Sequence, residues 1–352
     1  MTRTPLRPLF NFLLRLPAIL THKFRSYLIK YIRHRFRRAR RFPMLFKTLA
    51  YLLLIILILS KPDATFKYAY EGLYQWAAKM VPTLFPFMMI SSIMVYSGAD
   101  LELGRMLSHV LKKVYKYSSY GLYAVFMGFF CGFPMGAKVV SELYEKGRIS
   151  KSEADTLLAF CNNIGPAYFM GIIMPILHEC GYHNTLPFVF GMYGIPAVYG
   201  IVMGVGINVK TVDNENQTNP DTPPTRLAVT LKKSCMDNTQ SLIILGGYIT
   251  FTNAFRIFLD LMPLSVNNKN ILSSFLEIIG GVQAIYTTTL LPGQKIFWIM
   301  TALCFGGVSC ILQTSSFLEK SGLSISHYLK HKFLITLISA IYYFIVIRLS
   351  RV

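Results

Sequence analysis

The sequence predicts an all-α polytopic membrane protein, built as an inverted repeat with two re-entrant helical hairpins. Of the 352 residues, 53% are hydrophobic and only 15% are charged, whereas about a quarter of a soluble protein is charged. Several apolar runs approach the roughly 20 residues that a helix needs to cross a bilayer. Glycines and prolines break two of these runs, near residues 132–136 and 306–307.

The N-terminal segment 1–43 is strongly basic. It holds twelve Arg and Lys residues and no acid, and apolar residues interleave with the charges. This pattern predicts an amphipathic arm that lies on anionic lipid, and the positive-inside rule puts the N-terminus in the cytoplasm. A nucleic-acid arm is the alternative, but the arm directly precedes an apolar run, so we expect a lipid partner and no nucleic acid.

The rest of the chain divides around a polar linker. Residues 44–69 are predicted to form a first transmembrane helix and a loop, 70–207 a first repeat, and 241–352 a second. The linker 208–240 contains NENQTNPDTPP, which is typical of a loop, and we expect it in the cytoplasm. Individual crossings are expected at 81–97, 156–177 and 185–207, with a short segment through Lys61 and Lys67 outside the membrane.

The two repeats are predicted from matching segments. Residues 81–92 correspond loosely to 241–252, and residues 132–147 lie beside 307–322 at one constant offset. Because the first repeat starts outside and the second inside, the repeat is inverted, as in many secondary transporters that hold their solute near the midplane.

The first hairpin is predicted at 120–155, and the second break lies at 305–316. Broken backbone at membrane depth is tolerated where protein buries it or where it lines a wet cavity. Full inversion leaves Lys320, Lys330 and Lys332 outside, against the charge rule. A membrane-spanning segment at 271–291 would remove the conflict but spoil the symmetry, and both alternatives stay open.

Lys138 follows the first break and is the cation most deeply set in an apolar run. An unpaired lysine at the membrane centre costs about 2.5–3.5 kcal/mol, so it is expected to face a partner or a wet cavity. It is either a binding group for an anionic solute or a lysine whose ammonium reaches the lipid headgroups. Glu142, one helical turn later, is a partner in either case.

Asn162 and Asn163 stand before Gly165-Pro166 inside the next apolar run. Two amides followed by Gly-Pro predict an unwound helix whose free polar groups face a solute. The alternative is a kink in which the amides bond to neighbouring helices.

Glu277 is the most deeply set carboxylate and is the candidate for coupling transport to a proton or Na⁺. It could equally lie on an interfacial helix or pair with Lys138. Asn253 and Gln283 are supporting candidates. The predicted solute-binding residues are Gly132, Pro134, Gly136, Lys138, Asn162, Asn163, Gly165, Gly307, Ser309, Gln313 and Ser315.

Nothing in the sequence points to an enzyme, a cofactor or a metal. No phosphate-binding loop or Ser/His/Asp arrangement stands out. The six cysteines form no CxxC pair, and His178 and His183, five apart in a short loop, are expected to be ordinary loop residues.

Three segments resemble a known family. They are FCGFPMGAKVVSELYEKGRISKSEADTLLAFCNNIGP, FLEIIGGVQ and FGGVSCILQTSSFLEKSG. The chain looks like the YlbJ-like sporulation integral membrane proteins of endospore-forming bacteria, over roughly residues 70–348. These belong to the nucleoside-recognition (Gate) domain group, which is similar to concentrative nucleoside transporters with two re-entrant hairpins around a central solute. The resemblance implies hairpins at about 122–155 and 300–322. The basic arm departs from the family pattern.

The resemblance implies a function. It implies a multi-pass protein of the bacterial cell membrane, in the mother-cell or outer forespore membrane, that passes dipicolinic acid toward the forespore. Lys138 and the paired asparagines would suit a flat aromatic dicarboxylate. A nucleoside transporter and a non-transporting sporulation scaffold are the alternatives, and a homo-oligomer is expected by analogy.

Overall fold

The computed structural model describes residues 44–45, 47–205, 207 and 227–350. These residues form helices and connecting turns, and no strand occurs among them. The predicted basic arm at 1–43 and residues 208–226 of the predicted linker lie outside the described residues. The rest of that linker, 227–240, is helical, which corrects the predicted loop there. The chain divides into two compact units, residues 1–61 and 62–352, which are described separately.

The described part of the first unit is the apolar helix α1, Lys47–Ser60. Its last residue turns its hydroxyl back onto the helix, since Ser60 Oγ donates to the Leu57 carbonyl at 2.7 Å. At 1.5 Å per residue, α1 is shorter than the hydrocarbon core of a typical bilayer, which is about 30 Å thick.

The second unit contains thirteen further helices in its described residues. They are α2 (Pro62–Ser97), α3 (Ala99–Leu111), α4 (Ser119–Cys131), α5 (Met135–Glu145), α6 (Lys151–Phe160), α7 (166–179), α8 (Leu186–Gly204), α9 (Leu227–Leu261), α10 (Val266–Leu276), α11 (Ile278–Tyr286), α12 (Pro292–Phe305), α13 (Gly307–Ser321) and α14 (Ile325–Leu349).

Serine side chains fix where several of these helices begin. In each case the serine stands just before the helix, and its hydroxyl accepts a backbone N–H of the first turn, which would otherwise lack a partner. The four serines are Ser118 before α4, Ser150 before α6, Ser265 before α10 and Ser324 before α14.

Five stretches among the described residues are long and apolar enough to cross a membrane: Pro62–Ser97, Leu186–Gly204, Leu227–Leu261, Pro292–Ser321 and Ile325–Leu349. The first of these corrects the expectation of a loop through Lys61 and Lys67. Residues 62–80 continue directly into the apolar run 81–97 as one helix of 36 residues. A π-helical segment, Trp76–Met80, joins the two parts without ending the helix.

In two places, two successive short helices pack along each other as a pair. Helix α4 packs on α5, and α10 packs on α11. The second pair is antiparallel about Glu277, because Gly281 lies directly against the Ser274 backbone. The side-chain amide of Asn270 also bonds to the Ala284 carbonyl at 3.2 Å. Residues 271–291 therefore do not form one membrane-spanning helix.

The helical order occurs twice along the second unit. A long helix (α2), a packed pair (α4–α5), an interrupted stretch (α6–α7) and a further long helix (α8) come first. The same order then runs through α9, α10–α11, α12–α13 and α14. Among the described residues, helix α3 has no counterpart in the second half of this order.

The prediction of a second hairpin at 300–322 is wrong, because the second packed pair of helices is α10–α11. Helices α12 and α13 meet at Gly306 but do not pack along each other. Gly306 has φ 87° and ψ −9°, and its N–H bonds to the Ala302 carbonyl at 2.8 Å. This conformation ends α12 as a left-handed glycine cap, and α13 starts at the next residue.

The segments that matched at a constant offset are also not equivalent by element order. Residues 132–147 belong to the first packed pair, whereas residues 307–322 belong to the second interrupted stretch. Helices α5 and α13 instead pack against each other.

Two apolar clusters form the core of this unit. The first surrounds α4, α5 and α6 with buried residues such as Leu122, Leu143 and Leu157. The second lies among α7, α8, α11, α12 and α14, with Phe188, Ile299 and Tyr343 buried. The helix interruptions lie within these clusters, since Cys161 belongs to the first, and Cys304 and Cys310, on either side of Gly306, belong to the second.

Candidate functional site

The turn between α4 and α5, at 132–134, forms the tip of the first helix pair and depends on glycine. Gly132 has φ 79° and ψ −167°, a conformation essentially restricted to glycine. A Cβ there would overlap the backbone nitrogen of Gly165 and lie 2.6 Å from its Cα. A Cβ on Gly136 would similarly lie 2.9 Å from the Cys161 carbonyl carbon. The tip therefore rests directly on the interruption at 161–165, which separates α6 from α7.

The turn between α10 and α11, at Glu277, forms the tip of the second helix pair and is held by a carboxylate. Glu277 is extended, with φ −144° and ψ 123°, and caps α11. Its two oxygens accept the backbone N–H groups of Ile279 at 3.0 Å and Gly280 at 2.8 Å. This tip rests on the second interruption, which lies at Gly306 between α12 and α13. A Cβ on Gly307 would lie 3.2 Å from Ile278 Cγ2 and 3.3 Å from the Leu276 carbonyl oxygen.

Phe133 joins the two halves. Its side chain is buried, and its ring packs on Gly306, where an added Cβ would lie 2.7 Å from Phe133 Cζ. The first tip thus contacts the interruption of its own half through Gly132 and that of the other half through Phe133. The two tips and the two interruptions form one connected region of the interior.

Lys332 brings a buried cation to this region. Its Nζ donates to the backbone carbonyl of Asn162 at 2.8 Å and to Asn163 Oδ1 at 3.3 Å. The ammonium also lies 4.5 Å from the centre of the Phe133 ring. Lys332 is only 2% exposed, and among the described residues no acidic side chain lies within ion-pair distance of it.

Sequence reasoning missed this role of Lys332 and treated the residue only as a problem for the charge rule. The signal was a polar stripe along one face of α14. Tyr328, Lys332, Ser339 and Tyr343 follow one another at four, seven and four positions, which is the spacing of one helix face, and all four are buried.

The paired asparagines lie in the interruption as predicted. The side-chain amide of Asn162 donates to Thr314 Oγ1 at 2.9 Å and to the Tyr328 hydroxyl at 3.2 Å. Its Oδ1 is buried without a hydrogen-bond partner. Asn163 Nδ2 donates to the Phe160 carbonyl at 2.5 Å. The amides therefore tie the interruption to α13 and α14, and one acceptor stays free.

Lys138 is buried on α5 but is already neutralised. Its Nζ forms an ion pair with Glu142 and donates to Ser92 Oγ at 3.0 Å. Ser92 lies on α2. These contacts involve neither the interruption at 161–165 nor Lys332.

Four further predicted residues lie on two helices, three on α13 and one on α9. Gln313 Nε2 donates to Ser309 Oγ at 2.9 Å, while Gln313 Oε1 is buried without a partner. Ser315 is only partly buried on the same helix. Asn253 is buried on α9, and its side-chain amide donates to the Ile249 carbonyl at 3.0 Å.

Within the described residues, no three His, Cys, Asp or Glu side chains are grouped to hold a metal ion. The rings of His178 and His183 lie 5.8 Å apart, centre to centre.

The interrupted stretches and the long apolar helices define a multi-pass membrane protein. The chain is 23% identical over 311 residues to the sporulation integral membrane protein YlbJ of Bacillus subtilis strain 168. The aligned part covers 77% of this chain and 74% of that protein. No family model matches the chain, and no solved structure matches it.

Proposed function

We propose that this protein is a membrane carrier of a small anionic solute in endospore formation, with the solute held between two re-entrant hairpins. The observation that carries this proposal is the meeting of both tips with both helix interruptions in the interior. Interrupted backbone at membrane depth is tolerated where protein buries it or where it lines a water-filled cavity. In secondary transporters such discontinuous helices form the solute site.

The element order supports an inverted repeat, with the hairpins at 119–145 and 266–286. If residues 208–226 of the predicted linker are cytoplasmic, α9 runs outward, α10–α11 enters from outside, α12–α13 runs inward, and α14 runs outward. The connection between α13 and α14 is then cytoplasmic. Lys320 and Lys330 lie beside it, so the conflict with the positive-inside rule disappears.

Dipicolinic acid is the solute that we propose. The similarity to a sporulation protein supports a role in spore formation, and the family resemblance implies passage of this aromatic dicarboxylate from the mother cell toward the forespore. Buried cations and amides beside the tips suit an anion. The arm at 1–43 is expected to bind anionic lipid of the cell membrane, and the carrier is expected to be a homo-oligomer.

A nucleoside is the second candidate, and two free acceptors favour it. Asn162 Oδ1 and Gln313 Oε1 are buried without partners. Each could accept a hydrogen bond from the N–H and O–H groups that a nucleoside offers and that a fully ionised dicarboxylate lacks.

Uptake into proteoliposomes tests the proposal. The full chain is reconstituted, and uptake of radiolabelled dipicolinate and uridine is measured against vesicles without protein. We expect saturable dipicolinate uptake that excess uridine does not inhibit. Uridine uptake would support the nucleoside alternative. Uptake of neither by folded protein, with inward and outward gradients both tried, would favour a non-transporting scaffold.

A further inference from the structure

We propose that Lys332, rather than Lys138, binds the carboxylate of the transported solute. This inference rests on the proposed carrier function and deepens it. It assigns the anion site to α14 and to the interruption at 161–165, whereas the sequence alone predicted an anion site at Lys138, on α5.

Charge balance separates the two lysines. Lys138 pairs with Glu142, and the pair is close to neutral without any solute. Lys332 is equally buried and is held by a carbonyl, an amide oxygen and an aromatic ring. None of these carries a full negative charge. A buried ammonium without a counter-ion is unfavourable, so Lys332 gains more than Lys138 from an incoming carboxylate.

The hydrogen bonds of the ammonium leave one of its N–H donors for that carboxylate. An ammonium has three N–H donors, and two of them are directed at Asn162 and Asn163. The Phe133 ring covers the ammonium at 4.5 Å, a weaker attraction than a charge-assisted hydrogen bond. Phe133 belongs to the first tip, so a small movement of this tip would open the ammonium to the solute.

The neighbouring free acceptor narrows the solute class. Asn162 Oδ1 lies on the residue whose carbonyl binds Lys332, and it has no partner. One unpaired cation balances one negative charge. The site therefore fits a small carboxylate that is singly charged, or a dicarboxylate whose second group carries a proton or an accompanying cation that Asn162 Oδ1 can contact.

Binding to purified full-length protein tests the inference. Dipicolinate and its neutral diamide are titrated against wild type, Lys332→Met and the matched control Lys138→Met/Glu142→Gln, which removes a buried lysine together with its partner. We expect Lys332→Met to weaken dipicolinate binding on the order of 10- to 100-fold, as for loss of a hydrogen bond to a charged group. Binding of the diamide should change little, and the double variant should bind dipicolinate like wild type.

The other outcomes overturn the inference in distinguishable ways. Unchanged dipicolinate binding by Lys332→Met would remove Lys332 from the site and leave the carrier function intact. Equal weakening of acid and diamide would mean that the residue only shapes the site. Lys332→Gln keeps a donor for the Asn162 carbonyl and serves as a second neutral variant. Failure of both variants to fold would assign Lys332 a structural role. If wild type neither binds nor transports a carboxylate, the carrier function itself fails.

Discussion

The two tips reach similar positions by different physical means. The first, at 132–134, turns through a backbone conformation that only glycine adopts readily, and a proline follows. The second contains neither residue at its turning point. There Glu277 is extended and satisfies two backbone N–H groups of the next helix with its own carboxylate. Each tip rests on an interruption in its own half.

This difference shows that a helical pair can be closed by backbone or by side chain. A backbone-built tip leaves glycine and proline in the sequence, whereas a side-chain-built tip leaves one acidic residue in an apolar run. Glycine and proline in an apolar run directly indicate a turn of the backbone. The acidic residue is ambiguous, because a buried glutamate is also what ion coupling would require.

Gly132→Ala should give the largest effect in this comparison. Alanine must adopt φ 79° and ψ −167° and must also overlap the Gly165 backbone. Strain and overpacking together predict a loss of about 2–6 kcal/mol of unfolding free energy, measured by thermal unfolding in detergent. Gly147→Ala is the matched control, since Gly147 has φ 68° but nothing within 4 Å of an added Cβ. A loss as large at Gly147 would mean that close approach at the first tip contributes nothing.

Glu277→Ala should come next. It leaves two buried N–H groups of α11 without their acceptor, and loss of such a cap predicts about 2–3 kcal/mol of destabilisation. Glu277→Gln keeps one oxygen acceptor and removes the charge, so it should lose less stability in the same unfolding assay.

Uptake by Glu277→Gln in proteoliposomes then separates the two roles of this residue. Normal folding with uptake that no longer responds to a proton or Na⁺ gradient would support ion coupling. Normal gradient dependence would leave Glu277 as a cap alone.

What the sequence could predict follows the same division. The break near Gly132 and the unwound segment at Asn162 were visible because glycine, proline and paired amides interrupt apolar runs. The second pair was not, because its turning point carries a glutamate, and the conspicuous Gly306-Gly307 drew the predicted hairpin to 300–322. Lys332 was missed for a different reason. Its burial depends on α14 packing beside the interruption, a contact between residues about 170 positions apart.

Gly165→Ala should give the smallest effect and isolates close approach from backbone strain. Gly165 has φ −72° and ψ 145°, which any residue adopts, and an added Cβ would lie 3.0 Å from the Cys131 carbonyl oxygen. A shift of a few tenths of an ångström relieves this contact, so we expect a loss of about 1 kcal/mol. Gly171→Ala, with nothing within 4 Å of the added Cβ, is the control and should be neutral or slightly stabilising. If Gly165→Ala instead loses as much as Gly132→Ala, the rigid contact between tip and interruption dominates, and the left-handed backbone of Gly132 is secondary to it.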